Sequence, residues 1–419
     1  MLTRRRFARS CFAPALLLRG MPSAQVSIAC IGTGWQGMNN VRSFLAEPLA
    51  RVVAVCDIDS EHRGEARAAV NEKYGNSDCL AFHEFDEVFA RRDIDAVVLS
   101  LPDHWHGAAS VRAAAAGKDV YGEKPIAHHF ADGQAIREAV RRYRRVWQTG
   151  SWQRSLPLFR RACELVRNGC LGRVTRVEVG LPGGYNDFEG NAKLDTPCAP
   201  PPTLDYQRWL GPAPDAPYAP ARVHKNWRYL LDYGGGLLLD WIGHHMDIAH
   251  WGLGLDDSGP VEVSGRGTFP RVNRLWNAPA MYHVEAKYAQ GFTIVIEGDE
   301  SIIPRGTKWI GERGWLWVDR SGIDARPRSI LDTRLGPSAE RLPVSSGHHR
   351  QFLESVLSRG ETLTPPGVAL RSAAPGYLGL ISILTGRAIR WDPARETIIG
   401  DGEASRLLSR PLRAPWKLL

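Results

Sequence analysis

Lysine, carboxylate and imidazole side chains recur in short stretches of this chain whose combined chemistry is proton transfer beside a developing negative charge. Tyr121-Gly122-Glu123-Lys124-Pro125 offers an ammonium group. Such a group can hydrogen-bond a substrate hydroxyl and stabilise the alkoxide formed from it. Asp240 and His244 are four residues apart, which places both on one face of a helix. A carboxylate beside an imidazole can orient it, and an imidazole so held can act as a general base. His245 and Asp247 point elsewhere on that helix. The bland alternatives stand beside these readings: Lys124 as an ordinary surface lysine, and Asp240–His244 as a buried hydrogen bond in a core helix.

Gly32-Thr33-Gly34-Trp35-Gln36-Gly37 adds a partner for that chemistry. It follows an apolar strand and opens a helix. The first glycine permits a tight turn and the second lets the backbone approach a pyrophosphate. The third allows close helix–strand packing, and the helix N-terminus faces the negative charge. Asp57 ends the next strand, twenty residues after Gly37. A carboxylate there accepts hydrogen bonds from an adenosine ribose and repels a 2′-phosphate, favouring NAD over NADP. The alternative is a glycine-rich turn in an unrelated α/β fold.

These residues need elements to hold them. Val26–Ile31, Arg51–Cys56, Asp95–Leu101, Asp119–Gly122 and Val146–Gln148 read as strands. They alternate with helices at 38–45, 60–74, 85–90, 107–116 and 131–142, the pattern of a doubly wound parallel sheet. Such sheets bind ligands at the carboxyl ends of their strands. The 100–106 loop, with Pro102, Asp103 and His106, and the 121–125 segment should therefore lie beside the cofactor. After Gly150 the pattern changes: a helix at 157–168, a strand at 174–179, then a Pro/Gly/Asn/Asp-rich loop or lid at 181–222. A helix at 237–251 precedes strand candidates at 261–268, 281–288, 292–297, 307–311 and 314–319. These predict a large, mostly antiparallel, open-faced sheet, closed by helices at 348–358 and 368–385. The expected organisation is a leader at 1–24, a Rossmann domain at 25–149, a substrate and oligomerisation domain at 150–395, and a tail at 396–419.

The chain of 419 residues has 43% hydrophobic and 23% charged residues, fitting two globular domains. It lacks an uninterrupted run of 18 apolar residues, so no membrane span is expected. Of the formal net charge of +8, five charges come from Arg4, Arg5, Arg6, Arg9 and Arg19. The remainder is too small and scattered to expect nucleic acid as a partner. Thr3-Arg4-Arg5-Arg6-Phe7-Ala8-Arg9 resembles a twin-arginine export signal, which predicts a periplasmic or exported protein and otherwise a cytoplasmic one. No CxxC or Cys/His zinc spacing occurs, so no metal site is suggested, and a disulfide framework is not expected.

Taken together, GxGxxG with Asp57, the EKP at 123–125 and the DxxxH at 240–244 resemble the glucose–fructose oxidoreductase/inositol dehydrogenase (Gfo/Idh/MocA) family. The resemblance runs from about Val26 to about Pro393. It includes the PDHWH at 102–106, the segment from Gln148 to Arg154, and the WRYLLDYGGG run before the helix. It implies hydride exchange between NAD(P) and a hydroxyl-bearing carbon of a sugar or cyclitol. Lys124 matches the family's EKP lysine, and Asp240 and His244 its paired acid and histidine. Gly32, Gly34, Trp35, Gln36, Gly37, Asp57, Pro102, Asp103, His106, Glu123 and Lys124 would hold the cofactor. Gln153, Arg154, Trp227, Arg228 and His245 would meet the substrate, with His245 an alternative base. Some relatives instead use a tightly held NAD to oxidise a sugar carbon transiently, so that the net reaction is glycoside hydrolysis or lysis. A non-catalytic sensor is a third reading, disfavoured because a binder has no need of Lys124, Asp240 and His244 together. The substrate itself is not legible.

Overall fold

Short β-branched runs dominate the N-terminal half of the computed structural model, which describes residues 25–418. The twin-arginine-like leader lies outside the described residues. Strands β1 (Val26–Ile31), β2 (Ala50–Cys56), β3 (Leu80–Phe82), β4 (Ala96–Leu99), β5 (Asp119–Gly122) and β6 (Trp147–Thr149) form one parallel sheet, ordered β3-β2-β1-β4-β5-β6. Helices α1 (Trp35–Leu45), α2 (Ser60–Tyr74), α3 (Phe85–Ala90), α4 (Asp103–Ala115) and α5 (Phe130–Arg142) connect them. Most of the central strand residues are buried, as strands covered on both faces must be. The strand order reverses between β1 and β4, which opens a crevice at their carboxyl ends.

Two details depart from the expectation. β3 is an edge strand of three residues, with Leu80 and Ala81 exposed, so it carries no apolar run to announce it. Residues 103–106 are not loop. Pro102 is the N-cap of α4, with φ −60° and ψ 149°, and Asp103–His106 are its first turn.

The C-terminal half holds α6 (Pro157–Arg167), β7 (Val174–Gly180), α7 (Tyr206–Leu210), α8 (Gly236–Leu253), β8 (Glu262–Thr268), β9 (Met281–Lys287), β10 (Thr293–Glu297), β11 (Gly306–Gly311), β12 (Gly314–Val318) and β13 (Ile323–Arg326). After these come α9 (His348–Ser358), α10 (Pro366–Thr385), β14 (Ile389–Asp392), β15 (Thr397–Ile398) and α11 (Gly402–Arg406). Nine strands form a sheet ordered β13-β12-β11-β7-β10-β9-β8-β14-β15. Every pairing is antiparallel except β7 with β10. α8 is buried on nearly every side, so it shows no apolar stripe. α10 is long and apolar enough to cross a membrane, with a mean hydropathy of 1.3 over its best window. That window is 67% buried, against α8, α5 and β8, as in a core helix.

The chain does not divide at residue 150 as cleanly as the sequence implies. α9 returns to the first domain, where Phe352 and Leu353 pack with Val26, Ile28, Val41, Phe44 and Tyr121. The segment after 396 also docks back: Trp416 packs on Trp105 at 4.6 Å and on Phe85 at 6.2 Å. The six cysteines among the described residues are unpaired.

Candidate active site

A cavity of about 920 Å³ opens at the carboxyl ends of β1, β2, β4 and β5, and the C-terminal domain forms its far wall. One end is the glycine turn. Gly32 has φ +77°, and a Cβ there would meet the Ser100 carbonyl oxygen at 2.4 Å. A Cβ on Gly37 would fall 1.8 Å from the Gly32 oxygen. At Gly34 the nearest atoms would belong to His62, 3.6 Å away. Gly34 therefore has room for a side chain, and that room is the cavity itself. Asp57 lines the same end, its carboxylate held by Thr33 N at 2.6 Å, Thr33 Oγ1 at 3.2 Å and Asp59 N at 2.9 Å. A glycine cradle next to a fixed carboxylate fits the diphosphate and ribose of a dinucleotide.

Glu123 forms the floor. Its Oε1 accepts from Gln36 Nε2 at 3.1 Å and Asn40 Nδ2 at 2.9 Å, and Asn40 also donates to Ser100 Oγ at 2.9 Å. These bonds tie the glycine turn to the end of β5 and to Lys124. Of the expected cofactor residues, Gly32, Gly34, Trp35, Gln36, Gly37, Asp57, Pro102, Asp103, Glu123 and Lys124 all line the cavity. His106 does not. Its ring nitrogens lie 2.7 Å from the Pro125 oxygen and 2.9 Å from the Leu101 oxygen, so it braces two loops from behind.

At the other end Lys124 Nζ donates to Asp240 Oδ1 at 2.9 Å and to the Asp240 carbonyl at 2.8 Å. Arg228 Nε lies 3.2 Å from the same Oδ1. Burial alone would raise the Asp240 pKa, but Lys124 and Arg228 overcome it and hold it at about 2. Asp103, buried near Asp240, is pushed the other way: burial first, then the Asp240 charge, raise its pKa well above the carboxylate range. His244 lines the cavity, its ring 5.3 Å from that of Trp241. Burial, Lys124 and Arg320 hold its pKa well below the usual imidazole value. The ring is thus neutral at neutral pH. The expected Asp240–His244 hydrogen bond is absent, and His244 Nδ1 has no partner. The two share a helix face, but Lys124 and Arg228, reaching Asp240 from other elements, outcompete a neutral ring for the carboxylate.

Three expected substrate contacts lie elsewhere. Arg154 is 2% exposed and makes paired bonds to Asp247, both at 2.8 Å, and to Asp256 at 2.8 and 3.0 Å. Gln153 faces His245 Nδ1 at 3.4 Å and accepts from Arg320 at 3.2 Å. His245 is fully buried between that amide, Phe159 and Thr307, whose Oγ1 donates to the His245 carbonyl at 2.8 Å. None of the three borders the cavity. His244 alone of the two histidines can meet a ligand. Trp227 and Arg228 do border it, with Arg228 4.6 Å above the Trp227 ring.

The cavity also has walls that the motifs did not announce: Trp152, Trp241, Arg320 and Trp416, with a lid from 188–189 and 224–228. Phe188 stacks on the half-exposed Trp35 at 6.4 Å, and Lys225 Nζ lies 5.0 Å from the Trp35 ring centre. Trp241 adjoins Asp240 and was within reach of sequence reasoning. Arg320 and Trp416 come from remote, unpatterned segments.

A parallel dinucleotide-type sheet joined to a mixed sheet, with lysine, acid and neutral histidine between them, defines a two-domain dinucleotide-binding α/β protein. The chain belongs to the Gfo/Idh/MocA oxidoreductase family. Residues 26–151 match its NAD-binding Rossmann fold and residues 159–418 its C-terminal alpha/beta domain. It is 29% identical over 153 residues to glycosyl hydrolase family 109 protein 2 of Shewanella sp. (strain ANA-3), covering 36% of this chain and 30% of that one. It is 35% identical over 137 residues to inositol 2-dehydrogenase 1 of Saccharopolyspora erythraea, covering 32% and 39%. Both matches span well under half of those relatives. The aldose–aldose oxidoreductase of Caulobacter crescentus shares the fold, with a TM-score of 0.64 at 21% identity over 87% of this chain and 99% of that one.

Proposed function

We propose that the protein moves hydride between NAD and a hydroxyl-bearing carbon of a sugar or cyclitol. The observation that carries this reading is Lys124, ion-paired to Asp240, in the same cavity as neutral His244 and the glycine turn. Bound NAD supplies the hydride acceptor or donor. The Gly32–Gly37 backbone and Asp57 would hold it, and Asp57 disfavours a 2′-phosphate, so NAD is preferred over NADP. His244 takes the hydroxyl proton. Lys124 stabilises the resulting alkoxide, and Asp240 with Arg228 fixes Lys124 in place. Trp227 and Arg228, stacked on one another at the cavity edge, are placed to meet the sugar. The test is a panel of sugars and cyclitols followed by NADH absorbance, with Lys124→Met as the control. Turnover by wild type and none by the variant supports the reading; equal turnover overturns it.

A second reading, glycoside cleavage through transient oxidation with no net redox change, draws on the glycosyl hydrolase relative and on the lid over Trp35. Aglycone release from a glycoside panel without added NAD, and without NADH build-up, would favour it. We also infer export through the twin-arginine-like leader; fractionation of cells expressing the full chain tests this. The half-buried Ile310, Trp315 and Trp317 on the uncovered side of the large sheet fit a homo-oligomer, which sedimentation measures.

A further inference from the structure

Asp59, His62 and His224 bring a carboxylate oxygen and two imidazole nitrogens within 4.8 Å of one another. None of the three has a part in the reaction proposed above. Asp59 is the N-cap of α2: its Oδ1 accepts from Glu61 N at 2.9 Å, leaving Oδ2 uncommitted. His62 lies in the first turn of the same helix. His224 comes from the lid of the other domain, with φ +53°, a conformation uncommon for a residue with a side chain. The two rings pack with centroids 5.5 Å apart at 71°. Their separation along the chain hides the group from any reading based on ligand spacing.

We propose that these residues bind one divalent transition-metal ion, as a two-histidine, one-carboxylate set that clasps the lid to the nucleotide-binding domain. Imidazole with carboxylate suits zinc, cobalt or nickel, whereas magnesium and calcium prefer shells of oxygen alone. Bonds of about 2.0–2.2 Å place tetrahedral ligand atoms about 3.4 Å apart. The three ligand atoms, now within 4.8 Å of one another, would draw in to that separation around an ion. All three ligands border the cavity, so the remaining coordination position faces the nucleotide end. The ion ties α2 to the segment that carries Lys225 and Arg228 over Trp35, and so resists lid opening.

Cobalt is the probe. The full chain is stripped with EDTA, dialysed and titrated with Co²⁺, and the visible band of the bound ion is followed. One equivalent should bind, and Zn²⁺ should displace it. His62→Ala and His224→Ala should each weaken binding by at least about tenfold. Asp59→Asn, which retains an N-cap, gives the same reading should a histidine variant fail to fold. The proposal is overturned if Co²⁺ binds no better to wild type than to the folded variants. It is equally overturned if the variants lose NADH affinity to the same extent with and without EDTA, because the imidazoles then serve the dinucleotide directly. The cobalt band needs no substrate, so a negative result leaves the proposed reaction standing.

Discussion

Asp240 accepts twice from Lys124, through Oδ1 at 2.9 Å and through its own carbonyl at 2.8 Å. The helical acid therefore positions the lysine and not the histidine one turn later. Lys124→Met removes the ammonium but leaves Arg228 on the carboxylate. Turnover should fall by roughly 10²–10³-fold, the usual loss for one donor to a developing oxyanion. NADH binding, followed by fluorescence, should persist, since the glycine turn and Asp57 are untouched.

The same pair gives stability an acid limb. The Asp240 pKa lies at about 2 in the folded protein, below its ordinary value of 3.8. A depressed carboxylate contributes stability that is present above the ordinary value and lost as pH falls through the folded value. Wild type should therefore lose stability relative to Asp240→Asn as pH drops from about 4 to 2. Urea midpoints of both proteins across that window measure it. Parallel curves would mean that Lys124 and Arg228 do not hold the charge.

His244 and His245 are separable for the opposite reason, because only one borders the cavity. His244→Asn should cost about 10²–10⁴-fold in turnover, the range for a general base, with little change in stability. His245→Asn should disturb packing against Phe159 and Thr307 while leaving a folded population active. With the His244 pKa held well below the usual imidazole value by burial and Lys124, the base is neutral above that lowered value. The acid limb of kcat/KM attributable to it should fall well below pH 6.5, the unperturbed value for histidine.

How much of this was legible follows from where the information lies. The glycine turn, Asp57 and Lys124 are local signals, each fixed by a strand end that short apolar runs reveal. The α8 helix and its shared Asp240–His244 face were legible too. Their hydrogen bonding was not, because Arg228 and Lys124 reach Asp240 from other elements, and spacing along one helix carries no information about them. Gln153 and Arg154 were misplaced for a related reason: a polar pair near a motif reads as a ligand contact until its burial is known. The return of Phe352 to the first core, and of Trp416 to Trp105, depends on long-range packing that no local period encodes.

Arg154 tests that correction. It pairs with the fully buried Asp247 and the partly exposed Asp256, so Arg154→Ala leaves the buried Asp247 carboxylate uncompensated. Breaking such a pair costs on the order of 3–5 kcal/mol. Arg154→Lys should rescue poorly, because lysine cannot reproduce the two-pronged geometry. Denaturant midpoints should fall for both, whereas KM of any folded Arg154→Lys should stay near wild type. A selective rise in KM would return Arg154 to the substrate site.

Gly34 and Gly37 separate binding from folding within one turn. At Gly37 an alanine Cβ would lie 1.8 Å from the Gly32 carbonyl oxygen, and backbone cannot yield that far without moving the turn off β1. At Gly34 φ is −64° and ψ −161°, at the edge of the extended region, and the added methyl would meet only His62 at an ordinary 3.6 Å. That methyl occupies the space where a diphosphate must approach the backbone. Gly34→Ala should thus keep the wild-type Tm and lose at least about tenfold in NADH affinity, a loss of about 1.4 kcal/mol. Gly37→Ala should lose Tm first. Calorimetry on both variants, with and without NADH, checks the contrast. Equal NADH affinity in Gly34→Ala and wild type would show that the diphosphate does not lie over this turn.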